Sequence, residues 1–254
     1  MRRLSILFVT QAILVICLCA PGFAQKQYDN FYKGNIAYEK GEYDQAAQDY
    51  EGFLKNGYES GNVYYNLGNT YWKLRNIGKS ILFYEKALRL MPGDADTLAN
   101  LNFVQRELED VPEKDNRNWF LRMLDYFFAG ISLDGLTILC GVFLWMACIV
   151  GIAYLFLKNR WSSGLKYPLI VGNVFIVLLL ILVIRVEFYE NIHYGIVLNK
   201  EIEVKYGPVV GDAVAFTLHE GSKVCMEHES HDWYQIYFSK GKVGWVRKST
   251  LGVI

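Results

Sequence analysis

The sequence predicts a multi-domain membrane protein: an all-α module of helical hairpins, a two-helix transmembrane hairpin and a small all-β barrel. Three observations predict it. A helical pattern repeats at an offset of 34 positions, so that Gly34, Ala46 and Tyr50 return as Gly68, Ser80 and Tyr84. Two uncharged apolar runs follow, GLTILCGVFLWMACIVGIAYLFL at 135–157 and YPLIVGNVFIVLLLILVI at 167–184. From Gly195 onward, short segments alternate Val and Ile with polar residues, the period-2 pattern of half-buried strands.

The chain starts with an export pattern. Arg2 and Arg3 precede LSILFVTQAILVICLCA, and Gly22 and Ala24 supply a small-x-small ending. Residues 1–24 read as a secretory signal peptide cleaved near Ala24–Gln25, with an uncleaved anchor as the alternative. Neither Cys17 nor Cys19 follows the small residue that lipoprotein processing favours. With 26 basic and 26 acidic residues the formal charge is zero. Nothing in this balance points to nucleic-acid binding, which needs a basic stripe.

Residues 25–110 form the helical module. The offset also relates Asn35 to Asn69, Tyr43 to Ile77 and Leu54 to Leu88. In a helical hairpin Gly34 and Gly68 allow close approach, Ala46 or Ser80 faces that contact, and Tyr50 and Tyr84 fill the gap to the next hairpin. Pro92 ends the second copy. Asp94 can cap a further helix over 94–108, whose apolar positions suit a terminal element covering the last open face. Leu67, Gly68, Tyr71, Ser80, Tyr84, Ala87 and Pro92 resemble the tetratricopeptide repeat (TPR) pattern. The first copy departs from it at Lys33, Ala37 and Phe53. The resemblance implies a partner-binding groove lined by each repeat's first helix: Phe31, Asn35, Tyr38 and Glu39, then Tyr65, Asn69, Trp72 and Lys73. The alternative places these aromatics in packing or against a membrane surface. Phe31 and Tyr65 stand where carboxylate-gripping repeats often carry Lys, which argues against capture of a peptide C-terminus.

Residues 111–134 combine a charged linker at EKDNR with WFLRMLDYFF, an amphipathic interfacial helix or a continuation of the following span. The expected spans are 135–157 and 167–188, each near the ~20 residues that cross a bilayer. Lys158, Arg160 and Lys166 make the loop 158–166 cytoplasmic by the positive-inside rule, so both flanking modules are expected outside, in the periplasm, with the lipid bilayer as a partner. Neither apolar run contains an acidic or basic residue or a histidine, which favours anchoring over transport.

Residues 189–254 predict five or six short strands with turns at Gly207-Pro208, Glu220-Gly221 and Lys240-Gly241. The stretches Val204 to Pro208, Phe216 to Val224, and Trp233 to Leu251 with Gly241, Gly244 and Trp245 resemble a bacterial SH3-like domain. That resemblance implies peptide or cell-wall binding, with Trp233, Tyr234 and Trp245 as the candidate ligand face or as core. In HESH the two histidines are three apart and fall in an expected hairpin loop, unlike the helical H-E-x-x-H of zinc proteases. No metal site, cofactor or catalytic residue is expected. Cys225 with His228 or His231 is the weakest of the chemical readings.

The order of modules, and above all the stretch GNVYYNLGNTYWKLRNIGKSILFYEKALRLMPGDADTLANLNFVQREL, resembles the TPR proteins of the Bacteroides aerotolerance (Bat) operon. The resemblance implies a non-enzymatic inner-membrane adaptor of a stress-tolerance complex, with membrane proteins of the von Willebrand A type as partners. A peptidoglycan-binding sensor acting through the SH3-like domain is the alternative.

Overall fold

The computed structural model describes residues 21–55, 57–110, 133–157, 166–191 and 193–254. Residues 1–20 of the expected signal, 111–132 of the linker and interfacial helix, and 158–165 of the basic loop lie outside the described residues.

Among the described residues, five helices build the N-terminal region: α1 (Pro21–Glu39), α2 (Tyr43–Leu54), α3 (Gly61–Lys73), α4 (Ile77–Leu90) and α5 (Ala95–Gln105). The first four make two hairpins, and the glycines work as expected. A Cβ on Gly34 would stand 2.5 Å from the Tyr50 ring, and one on Gly68 the same distance from Tyr84. Both tyrosines are 1 % exposed, so each ring occupies the space the glycine leaves. Ser80 also fits its place: its hydroxyl donates to the Gly68 carbonyl at 2.8 Å across the hairpin. Asn76 caps α4 by accepting from the Lys79 N–H, and Asp94 caps α5 by accepting from Thr97. Each cap contributes about 1 kcal/mol. Because α3 begins at Gly61 and α5 at Ala95, α5 stands in the register of a third repeat's first helix.

The C-terminal region is a seven-stranded antiparallel sheet, one or two strands more than expected. Its strands are β1 (His193–Val197), β2 (Glu201–Lys205), β3 (Val214–His219), β4 (Lys223–Ser230), β5 (Trp233–Tyr237), β6 (Val243–Arg247) and β7 (Leu251–Val253). They lie in the order β3-β2-β6-β5-β4-β1-β7. Val197, Val204, Leu218, Val224, Ile236 and Val246 form the centre of its core. His228 lies within β4 opposite Gln235, not in a loop, and a register shift sits beside it. His231 is in the tight turn that follows, with φ of 48°. Among the described residues no group of three or more His, Cys, Asp or Glu converges as a metal site would require.

The helical region and the sheet share a core. Ile81, Leu82 and Tyr84 of α4, with Leu101 and Val104 of α5, bury Ile196 of β1 completely. The approach is close enough that a Cβ on Gly78 would lie 2.6 Å from the Val197 carbonyl oxygen. Polar pairs rim the contact. Glu220 accepts from the Gly78 N–H at 2.8 Å, Lys223 pairs with Glu85 at 2.8 Å, and Arg89 donates to the Ile254 carbonyl at 3.0 Å.

Two further helices, α6 (Leu133–Leu157) and α7 (Lys166–Asn191), pack side by side. Among the described residues, no helix is long and apolar enough to cross a membrane. This overturns the expected transmembrane hairpin at 135–157 and 167–188, the membrane-protein fold class, and the inner-membrane localisation derived from them. The architecture is a helical-repeat region followed by a C-terminal antiparallel sheet.

Candidate functional site

Side chains converge on the face formed by the first helices of the repeats. Asn35 Oδ1 on α1 accepts from the Tyr50 hydroxyl at 2.7 Å and from Asn66 Nδ2 on α3 at 3.1 Å. One repeat later the pattern returns. Asn69 Oδ1 accepts from the Tyr84 hydroxyl at 2.6 Å and from Asn100 Nδ2 on α5 at 2.9 Å. Each asparagine thus ties three helices together: its own, the second helix of its hairpin, and the first helix of the next repeat. Burial pushes the Tyr50 phenol up to about 12, against the lowering effect of the Asn66 hydrogen bond. Burial raises Tyr84 further in the same direction. Both stay neutral donors across the physiological range.

The ladder has a measurable consequence. Asn69→Ala removes the acceptor for a buried phenol, so a loss of about 1–3 kcal/mol in unfolding free energy is expected. In thermal or urea unfolding, Asn69→Ala and Tyr84→Phe combined should cost less than the sum of the two alone. Strict additivity would mean that the bond contributes nothing.

Beside the ladder lies a cavity of about 170 Å³ lined by Asn35, Tyr38, Glu39, Tyr50, Asn66 and Asn69. Four of the sequence-predicted residues, Asn35, Tyr38, Glu39 and Asn69, therefore meet in one place. The oxygens of both asparagines serve the ladder, which leaves their amide groups as the donors outside it. Tyr38 is held above the ordinary tyrosine value, first by burial and then by Tyr43 and Tyr65. Glu39 is exposed at the rim.

Tyr65, Trp72 and Lys73 continue the row on α3. Tyr65 packs toward Tyr84 with ring centroids 6.2 Å apart and receives the Asn100 amide at 3.3 Å. Trp72 meets Phe103 of α5 edge to face, 5.4 Å between centroids, with the Arg75 guanidinium 5.3 Å from the indole. Lys73 is exposed. Phe103 is 53 % exposed. Asn66, Asn100 and Phe103 were not anticipated from sequence, and Tyr50 only as a packing residue. Carrying the 34-residue offset one period further relates Asn66 to Asn100 and Asn69 to Phe103, and that was the available signal.

The second candidate face does not assemble in the same way. Trp233 is 8 % exposed, and the Arg247 guanidinium lies 5.3 Å from its ring. Tyr234 packs against the sheet core opposite Val246. Trp245 pairs with Gln235 and Lys205, and strand alternation sends it to the other face from Tyr234. Cys225 lies in β4, where burial, reinforced by Glu227, raises its thiol. A raised thiol is the protonated, poorly nucleophilic form.

The groove therefore offers amide donors, one rim carboxylate, one rim ammonium and an aromatic corner, which is equipment for holding a chain segment. No curated protein matches the chain. Residues 33–95 match the tetratricopeptide repeat family model. Over these two hairpins the chain is similar to the tetratricopeptide repeat, a module that typically binds other proteins.

Proposed function

We propose that the chain is a non-enzymatic adaptor that docks an extended segment of a partner protein along the row formed by α1, α3 and α5. The observation that carries this reading is the open cavity at Asn35, Glu39 and Asn69, continued by Tyr65, Trp72 and the exposed Phe103. Side-chain amides suit a ligand backbone, and the edge-to-face Trp72–Phe103 corner suits an apolar side chain. The resemblance to Bat-operon TPR proteins makes von Willebrand A-type proteins the first partners to try.

The test uses exposed residues, so that folding is spared. Glu39→Lys combined with Lys73→Glu is expected to lower the recovery of a von Willebrand A-type partner in pull-downs from the full chain about tenfold, with the circular dichroism melt unchanged. A single Phe103→Asp substitution should act in the same direction. Undiminished recovery with both variants would place the partner surface elsewhere.

A further inference from the structure

The helix α5 completes the groove. Its inner side, Leu101 and Val104 with Leu108 beyond, packs against Ile196 and Leu198 at the end of β1. The chain leaving α5 then delivers Glu109 and Asp110 to the sheet. The Asp110 carboxylate accepts from the His219 backbone N–H at 2.6 Å and from the Ser222 hydroxyl at 2.7 Å, and lies 3.3 Å from His219 Nδ1. Glu109 stands 3.4 Å from the other ring nitrogen, Nε2. The imidazole of β3 is therefore bracketed by two carboxylates from the tail of α5.

From this geometry we infer that the sheet domain regulates the groove, holding α5 and its Phe103 in place through a proton-dependent latch of Asp110, Glu109, His219 and Ser222. The regulation rests on the groove reading above. The charged groups around His219 are Asp110 and Glu109 from the α5 tail and Glu201, its cross-strand partner on β2. Glu220, next in sequence, is committed to the Gly78 N–H on α4. No cation contributes among these facing groups, so a protonated ring is attracted from every side described.

The sign of the effect follows. The Asp110 hydrogen bond, with Coulombic help from Asp110, Glu109 and Glu201, holds His219 above its ordinary 6.5. Its contribution is fully present below that value and is lost as pH rises through the raised one. Burial pulls Asp110 upward, but its hydrogen bonds to His219 and Ser222 outweigh this and keep it below the ordinary 3.8. Its contribution is present above 3.8 and is lost only as pH falls through the lowered value. The latch is therefore tightest in mildly acidic solution, between these two ordinary values, and loosens on the alkaline side.

Hydrogen–deuterium exchange of the full chain at about pH 6 and about pH 8, corrected for intrinsic rates, tests this. Amides of 97–108 in the wild type should exchange about two- to fivefold faster at the higher pH, the range an exposed ion pair supports, while those of α2 stay level. His219→Gln should abolish the difference, and the milder Glu109→Gln should reduce it. Equal α5 protection at the two pH values, or full dependence surviving in His219→Gln, would overturn the latch. The exchange result decides the latch without any ligand. Pull-down of the von Willebrand A-type protein at the lower pH decides the groove separately, so either can fail alone.

Discussion

Replacing Gly68 by Ala is expected to destabilise the chain by about 2–3 kcal/mol, the usual cost of forcing one methyl into a full interior. The added carbon would sit 2.5 Å from the Tyr84 ring, well inside contact distance. Tyr84 has no room to yield, because its side chain is buried against Leu101 and Val104 and its hydroxyl is fixed on Asn69. Relief therefore requires α3 and α4 to separate, which would stretch the Ser80 bond to the Gly68 carbonyl. A lower melting temperature, followed by circular dichroism at helical wavelengths, is the readout. The same change at Gly34, against Tyr50, should behave alike, since the two contacts repeat. A melting temperature within about one degree of wild type for both variants would show that the helices are not pressed together as described.

The second large effect is expected at Ile196, a strand residue with no exposed surface that fills the junction between sheet and helices. Ile196→Ala should cost about 2–5 kcal/mol through lost burial and the cavity left behind. What distinguishes this site is where the loss appears. Because α4 and β1 share one core, helical ellipticity and the fluorescence of Trp233 and Trp245 should shift to lower temperature together. If the sheet signal moved while the helical transition stayed in place, the two regions would be separate folding units.

The hairpins were legible because a repeat writes the same local geometry twice. Gly68 and Ser80 meet within one hairpin as their spacing implies, whereas the filling of each glycine's space by Tyr50 and Tyr84 was not read from it. That Asn35, Tyr38, Glu39 and Asn69 share one face was legible for the same reason. Phe103 and Asn100 went unread because α5 was taken as a closing helix, although it keeps the repeat's register. The junction with the sheet was a different problem. Ile77 and Ile81 show that the back of α4 is apolar, but period alone names no partner, and β1 lies far along the chain. Run length misled at 135–157 and 167–188, where apolar composition was converted into spans that the described helices do not provide. On the sheet, Trp233, Tyr234 and Trp245 looked like one surface because they are aromatic, whereas strand alternation divides Tyr234 from Trp245.

The position of β7 has a consequence for how the molecule can meet copies of itself. An antiparallel sheet has two borders where backbone donors and acceptors await another strand, here β7 and β3. At the β7 border α4 closes in, so that a Cβ on Gly252 would lie 2.5 Å from Leu82 Cδ2. The β3 border is interrupted where its pairing with β2 shifts register between Val204 and Lys205. Lateral growth of the sheet from chain to chain is therefore blocked by a helix on one flank and met by a broken template on the other. A polymer needs two compatible flanks on every unit, and this fold supplies at most one.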